Sequence, residues 1–436
     1  MKTHYIETVK NSLENLISEV VKNPSLFLND PSRDFTRKRK IDLENLLKLI
    51  ITSAGKSMNK ELLDYFDFST ETPSVSAFTQ QRAKVLPDMF DFLFREFTEN
   101  TPHTQNLYNG YHLFACDGSN LTIATNPHDI ETFRVSNQYN ATSNHLHLNV
   151  IYDLLNRIYV DANVQTLSTR NEYRACAQMI DRSQYQDKVI LIADRGYENY
   201  NIFAHAIEKG WDFVIRGKDI HSNGIASGLQ LSTKESFDVP IQLELTRSQA
   251  LAMKKHCKFM PTNQTFDYMS VRSKETYCIS FRVVRFPIAD DCYELLITTL
   301  DKDEFPISKL KELYHLRWGI ETSFRELKYA IGLTSFHSKK REFILQEIYA
   351  RLLLYNYCEM ITTYIINNRQ KENKKYQVNF TLAIYICREY LRNKRVLHPP
   401  DIELQINRNT LPIRNGRADP RKVKAQSSVS FIYRVA

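Results

Sequence analysis

Cysteine is scarce and unpatterned in this chain: the seven thiols, at positions 116, 176, 257, 278, 292, 358 and 387, include no Cys-x2-Cys pair. That supports neither a zinc site nor a disulfide framework and describes reduced, mostly buried cysteines of a cytosolic protein. Long apolar runs are also missing. A membrane helix needs roughly 18 consecutive apolar residues, and even RLLLYNYCEMITTYII is interrupted by Asn356 and Glu359. The opening stretch MKTHYIETVKNSLENLISEV alternates polar and apolar residues and has no signal-peptide core, so no membrane partner is expected. Neither an internal repeat nor a low-complexity tract occurs.

What is present suits a folded chain of two or three domains: 436 residues, 42% hydrophobic and 25% charged. The net charge of +8 is unevenly placed, because Leu391 to Ala436 holds 10 Lys or Arg against 3 Asp or Glu, so these 46 residues carry +7. A basic tail on a near-neutral body fits a polyanionic partner, most simply nucleic acid, or a solubilising extension. Arg33, Arg37, Lys38, Arg39 and Lys40 form another basic cluster inside an N-terminal region, residues 1–105. Apolar residues recur there at helical steps over 6–21, 41–53 and 60–66. Such a helical domain either binds DNA or caps the core; it has no clear helix-turn-helix pattern.

Beyond residue 105 the pattern turns to strands. Residues 111–116 are a short apolar strand ending at Asp117-Gly118-Ser119, which reads as a turn before a second strand over 121–124. Strands at 145–152 and 157–164 and a helix at 171–182 follow. A continuous apolar strand at 188–193 then delivers Asp194-Arg195-Gly196-Tyr197. With a helix at 200–208 and a strand at 211–216, this is the order of a ribonuclease-H-like α/β domain, a mixed sheet flanked by helices, over 106–350. Residues 217–289 interrupt it with polar, strand-like pieces (VPIQLELT, DYMSVRS, YCISFRVVRF), a mainly β insertion. Residues 351–436 form a helical, basic C-terminal region, with helices expected over 343–367 and 382–392.

The stretch from Pro306 to Gly332 carries start and stop signals of a helix. Leu313, Leu316, Ile320, Phe324, Leu327 and Ile331 make one apolar face, with Trp318 expected to pack beside it. At about 100° per residue, Tyr314, Arg317, Glu321 and Lys328 share an arc of about 60°. A carboxylate there can bind a hard divalent cation. The guanidinium and ammonium can hold phosphate oxygens, and the phenol can donate a hydrogen bond. An exposed helix face with Arg–Glu pairing at four-residue spacing is the plainer alternative.

Tyr-x2-Arg-x3-Glu-x6-Lys resembles the YREK signature of insertion-sequence DDE transposases. SAFTQQRAKV, the Asp-Gly-Ser and Ala-Asp-Arg-Gly-Tyr motifs, the β-rich insertion and the basic C-terminus occur in that family's order, over at least 70–425. The resemblance implies catalytic, metal-binding Asp117, Asp194 and Glu321, with Asp117 bridging two Mg2+ ions that Mn2+ can replace. It implies double-stranded DNA as partner, a homodimer in the synaptic complex, and a cytoplasmic, nucleoid-associated bacterial enzyme. Its activity would be binding of terminal inverted repeats, strand cleavage and joining of the 3′-OH end to target DNA. The alternative is a catalytically inactive, domesticated sequence-specific DNA-binding protein. Tyr314, Arg317 and Lys328 would contact DNA. Relatives stack a flipped base on an aromatic of the insertion. With no Trp between 220 and 317, Tyr293 is the candidate here.

Overall fold

The computed structural model describes residues 2–103, 105–135, 142–290, 292–369, 376–392 and 401–412. Most of the basic tail lies outside them. Five helices come first: α1 (Lys2–Lys22), α2 (Leu43–Thr52), α3 (Met58–Tyr65), α4 (Val75–Arg82) and α5 (Asp88–Asn100). Asp42 and Ser74 cap α2 and α4 by accepting from the amides of Asn45 and Ala77.

The α/β part runs β1 (His112–Ile123), β2 (Phe133–Val135), β3 (Thr142–Asp153), β4 (Ile158–Thr166), α6 (Glu172–Arg182), β5 (Val189–Ala193), α7 (Tyr200–Glu208) and β6 (Asp212–Gly217). The segment that follows gives β7 (Phe237–Thr246), α8 (Gln249–Lys255), β8 (Lys258–Phe259) and β9 (Thr276–Ala289), then β10 (Cys292–Thr298). These ten strands form one mixed sheet in the order β3-β1-β5-β6-β10-β9-β7-β8, with β2 and β4 both on the outer edge of β3. The β-rich segment therefore extends the main sheet. DYMSVRS forms no strand, and α8 is an addition to the elements expected there.

The central strands of the sheet are buried on both faces. On one, α6 and α7 cover Phe114, Cys116, Leu191 and Ile215. On the other, Leu113, Ala115, Ile190, Ile192 and Val214 meet the helices that follow β10. These are α9 (Ile307–Leu316), α10 (Trp318–Arg325) and a wide π turn (Glu326–Ala330). Next come α11 (Arg341–Arg369), β11 (Tyr376–Val378), α12 (Phe380–Arg392), α13 (Ile402–Arg408) and β12 (Thr410–Pro412). α11 is nearly all buried and joins α1, α2 and α5 to the sheet in a single apolar core. All seven cysteines are free, with Cys278 and Cys292 exposed. Among the described residues no helix is long and apolar enough to cross a membrane.

Candidate active site

Asp117-Gly118-Ser119 is not the expected turn. β1 runs unbroken through it, paired to β3 as far as Ile123↔Asn144. The parallel partner β5 stops earlier, at Cys116↔Ala193. Asp117 and Asp194 are thus the first residues beyond the last parallel pair, on neighbouring chains about 4.8 Å apart. Alternation decides their direction. Leu113 and Ala115, and Ile190 and Ile192, face the helices after β10, so Asp117 and Asp194 face them too. The carboxylate of Asp194 accepts from the Gly196 amide at 2.7 Å, and that of Asp117 from the Gly118 amide at 2.8 Å. Gly118 is required on the opposite face, where a Cβ would stand 2.5 Å from His147 Nε2. That imidazole donates through Nδ1 to Asn120 Oδ1 at 2.9 Å, and its Nε2 lies 3.1 Å from Glu172 Oε1, whose pKa it helps pull down to about 2.

Ile320, Phe324, Leu327 and Ile331 anchor the central helix against the core, as expected. Leu316 and Trp318 do not: they are 37% and 51% exposed, and the indole packs against the Arg317 guanidinium at 5.0 Å. The helix also carries two irregularities. At Arg317 the helix tightens, with i→i−3 bonds Arg317 N to Tyr314 O and Ile320 N to Arg317 O, both 3.1 Å. At Glu326 it widens, Ile331 N reaching Glu326 O at 3.0 Å.

Glu321 Oε1 accepts from Arg317 Nη2 at 3.1 Å. Tyr314 and Arg317 are 4% and 7% exposed, yet Tyr314 OH and Arg317 Nε have no hydrogen-bond partner among the described residues. Buried donors left unmet are costly, and an acceptor that reached these two would remove that cost. Burial opposes the Arg317 charge, but Tyr314, Glu321 and Asp117 outweigh it and raise its pKa. Lys328, in the wide turn, donates to Ser119 Oγ at 2.7 Å and Asn120 O at 3.2 Å, over the strand that carries Asp117. The turn is held by Glu326, which accepts from Tyr355 OH at 2.9 Å and from Arg157, itself bound to Glu359 at 2.8 Å.

Burial pushes the Asp117 carboxyl up to about 6, with Asp194 and Glu321 adding to the rise and the Gly118 amide and Arg317 opposing it. Three acids thus bear on one buried position. As they stand, no three His, Cys, Asp or Glu among the described residues close into a metal site. The donors nonetheless fit a hard divalent cation, being all carboxylate oxygens, and such an ion would offset the repulsion that raises Asp117.

Tyr293 is not brought into this group. Leu295 and Ile297 face α6 and α7, so Tyr293, in step with them, sits on that opposite face, stacked with the Arg285 guanidinium at 3.8 Å. Arg216 and Glu294 escaped the sequence reading. They lie near the end of β6 and the start of β10 on the helix-facing side, 3.3 Å apart, and both bear on Tyr314. The arginine closing WDFVIR, in step with buried Val214, was the available signal.

The profile of the family described as "Transposase DDE domain" matches residues 108–357. Over 59 residues the chain is 37% identical to the transposase for insertion sequence element IS421 of Escherichia coli and to InsL of insertion sequence element IS186A of Escherichia coli strain K12. Each match covers 14% of this chain and only 16% of the relative's length. In three dimensions the chain resembles the piggyBac transposase in a synaptic complex with hairpin DNA, with a TM-score of 0.51, 9% identity, and 98% of this chain and 87% of that one covered. That likeness is one of fold. With more than half of its length matched by the family profile, the chain belongs to the transposase DDE domain family.

Proposed function

We propose that this protein is a DNA transposase of an insertion sequence, of the YREK group, acting on double-stranded DNA as a homodimer. It binds the terminal inverted repeats of its element, hydrolyses the strand at the 3′ end and joins the freed 3′ hydroxyl to target DNA. The order β4-β3-β1-β5-β6, three antiparallel strands followed by two parallel ones, supports a ribonuclease-H-like core. Asp117, Asp194 and Glu321 would hold the divalent ions, Mg2+ in the first instance. When bound, such ions activate an attacking oxygen and steady a leaving one.

The chain's own groups do the positioning. The observation that carries the reading is the pair of unmet buried donors, Tyr314 OH and Arg317 Nε, beside three carboxylates. A phosphate oxygen satisfies both donors and offers its neighbouring oxygens toward the acids. Arg317 also holds Glu321 in place. Lys328, anchored on Ser119 and Asn120, places a positive charge farther along β1 for a neighbouring phosphate. The test is strand cleavage by Asp117→Asn, Asp194→Asn and Glu321→Gln on end-labelled DNA from the flanks of the gene. Each should lose cleavage by about a thousandfold or more while binding DNA in EDTA like the parent. Normal cleavage by any one of them removes that residue from the site.

A further inference from the structure

The turn between β3 and β4 is built to deliver one side chain. Asp153, fully buried, accepts from the amides of Leu155 and Asn156, both at 3.0 Å, and from Asn156 Nδ2 at 2.8 Å. Asn156 Oδ1 in turn accepts from the Asn106 amide at 2.7 Å. The turn closes with the Arg157 amide on Asp153 O at 2.8 Å and with Arg157 at φ +58, a left-handed conformation that Gly or Asn adopts at lower cost. From there the guanidinium crosses to two other elements. Its Nη2 reaches Glu359 Oε1 in α11 at 2.8 Å and both oxygens of Glu326 in the wide turn at 3.3 Å, and its Nε reaches Glu359 Oε2 at 3.1 Å. Tyr355 OH gives Glu326 a shorter bond, at 2.9 Å.

One guanidinium thus faces a buried acid and a half-buried one. Burial and Glu359 push the Glu326 carboxyl up, while Arg157 and Tyr355 oppose the rise. Left-handed backbone and two acids on one cation are poor means to stability alone, since apolar contacts would hold the same elements together without either cost. What the guanidinium adds is a fixed place for Glu326. A π turn is rare and is found often at functional sites. Glu326 opens this one, and Lys328 follows two residues on. Lys328 then lies over Ser119 and Asn120, on the strand that bears Asp117.

We infer that Arg157 is a positioning residue for the strand-cleaving site. Through Glu326 it holds the wide turn, and the wide turn sets the direction in which Lys328 presents its ammonium to a phosphate. Arg157 bonds to none of the three carboxylates of the site; it acts through Lys328. This role rests on the reading of Lys328 as a phosphate contact given above.

The test uses the full chain in EDTA and a fluorescent duplex from the flanks of its gene, with binding measured over a range of salt. Arg157→Lys keeps the charge but not the fork that spans both glutamates. It should weaken binding a few-fold and lower the log–log salt slope by about 0.9, the share of one phosphate contact, as Lys328→Ala should. The double variant should fall no further, because both changes remove the same contact. Partial unfolding lowers the active fraction and leaves the slope alone, so a merely structural role does not imitate this pattern. Tyr355→Phe keeps the buried ring, loses the hydroxyl that Glu326 accepts from, and should lower the slope in the same sense. A folded Arg157→Lys with the parent's slope, or a double variant with twice the drop, overturns the inference. If Arg157→Lys does not fold, a parent-like slope for Tyr355→Phe overturns it. An unchanged slope for Lys328→Ala also overturns it, by removing the contact, and leaves the carboxylate variants to decide the proposed function. A parent that never cleaves, but whose slope depends on Arg157 only while Lys328 is present, sinks the proposed function and keeps this role for Arg157.

Discussion

Two charged clusters in this molecule are built on opposite terms. One joins α4 to α11: Glu347, 1% exposed, faces Arg82 at 2.9 Å, Arg351 at 2.9 Å and His337 at 3.0 Å. Arg82 also donates to Gln346 at 2.7 Å and to the Phe343 carbonyl. Burial alone would push Glu347 up, but Arg82, His337 and Arg351 hold it well below the usual carboxylate range. The other cluster sits where β1 outruns β5. Burial and two further acids push Asp117 up, and two buried donors beside it go unmet. The first sets one carboxylate against two guanidiniums and an imidazole and fixes the helical layer to the core. The second sets three acids around one buried position, with Arg317 and the Gly118 amide too weak to offset burial and the two further acids. Burial of charge is common to both, so the difference lies in the balance of signs.

The largest effect should come from breaking the Glu347 cluster. Glu347→Gln leaves two guanidiniums and the His337 imidazole facing a neutral amide, and a broken buried pair costs about 3–5 kcal/mol. Urea unfolding of this variant should show that loss at neutral pH, and an unchanged midpoint would mean that the pairing adds nothing. The parent's share of this stability is present above the ordinary carboxylate value and is lost as pH falls below it.

Asp117→Asn should do the reverse. The folded value, about 6, lies above the ordinary 3.8, so the parent without metal is stabilised by this group below pH about 4 and loses that stability as pH rises through 6. The loss is on the order of 2–3 kcal/mol. In EDTA at pH 7.5 the variant should therefore melt above the parent, and the gap should vanish at pH 4. A lower melting point at both pH values would show that Asp117 is paired, as Glu347 is.

Smaller effects should mark the donors. Arg317→Lys keeps charge but not the fork, and should slow cleavage about tenfold or more and blur its position on end-labelled DNA. Lys328→Ala should weaken binding to end DNA only a few-fold. Parent-like rate, position and affinity in both would make this stripe an ordinary solvated helix face.

Much of this was legible in one dimension. The run of Leu313, Ile320, Phe324, Leu327 and Ile331 announces a helix with a buried face, and KVILIA announces a strand buried on both sides; both are found. Asp194 was readable as the residue that the apolar strand KVILIA delivers, and its carboxylate accepts from the amide of Gly196, two residues on. Asp117 was placed at a turn because Asp-Gly-Ser is turn-like locally. Pairing with β3 along its whole length overrides that preference.

The sequence by itself determined most of the helices and strands and which residue types stand at helical spacing, because hydrophobic periodicity and capping act over a few neighbours. Tertiary structure decided the rest. That β5 stops one pair before Asp117, that period-2 alternation sends Asp117 and Asp194 toward the helix and Tyr293 away, and that Trp318 is exposed while Tyr314 is buried all depend on which strand lies beside which. The tight step at Arg317 and the wide turn at Glu326 likewise have no local signature. The wide turn is held by Arg157 and Tyr355, which lie 169 residues before and 29 residues after Glu326 and reach it only when the sheet and α11 close around the helix.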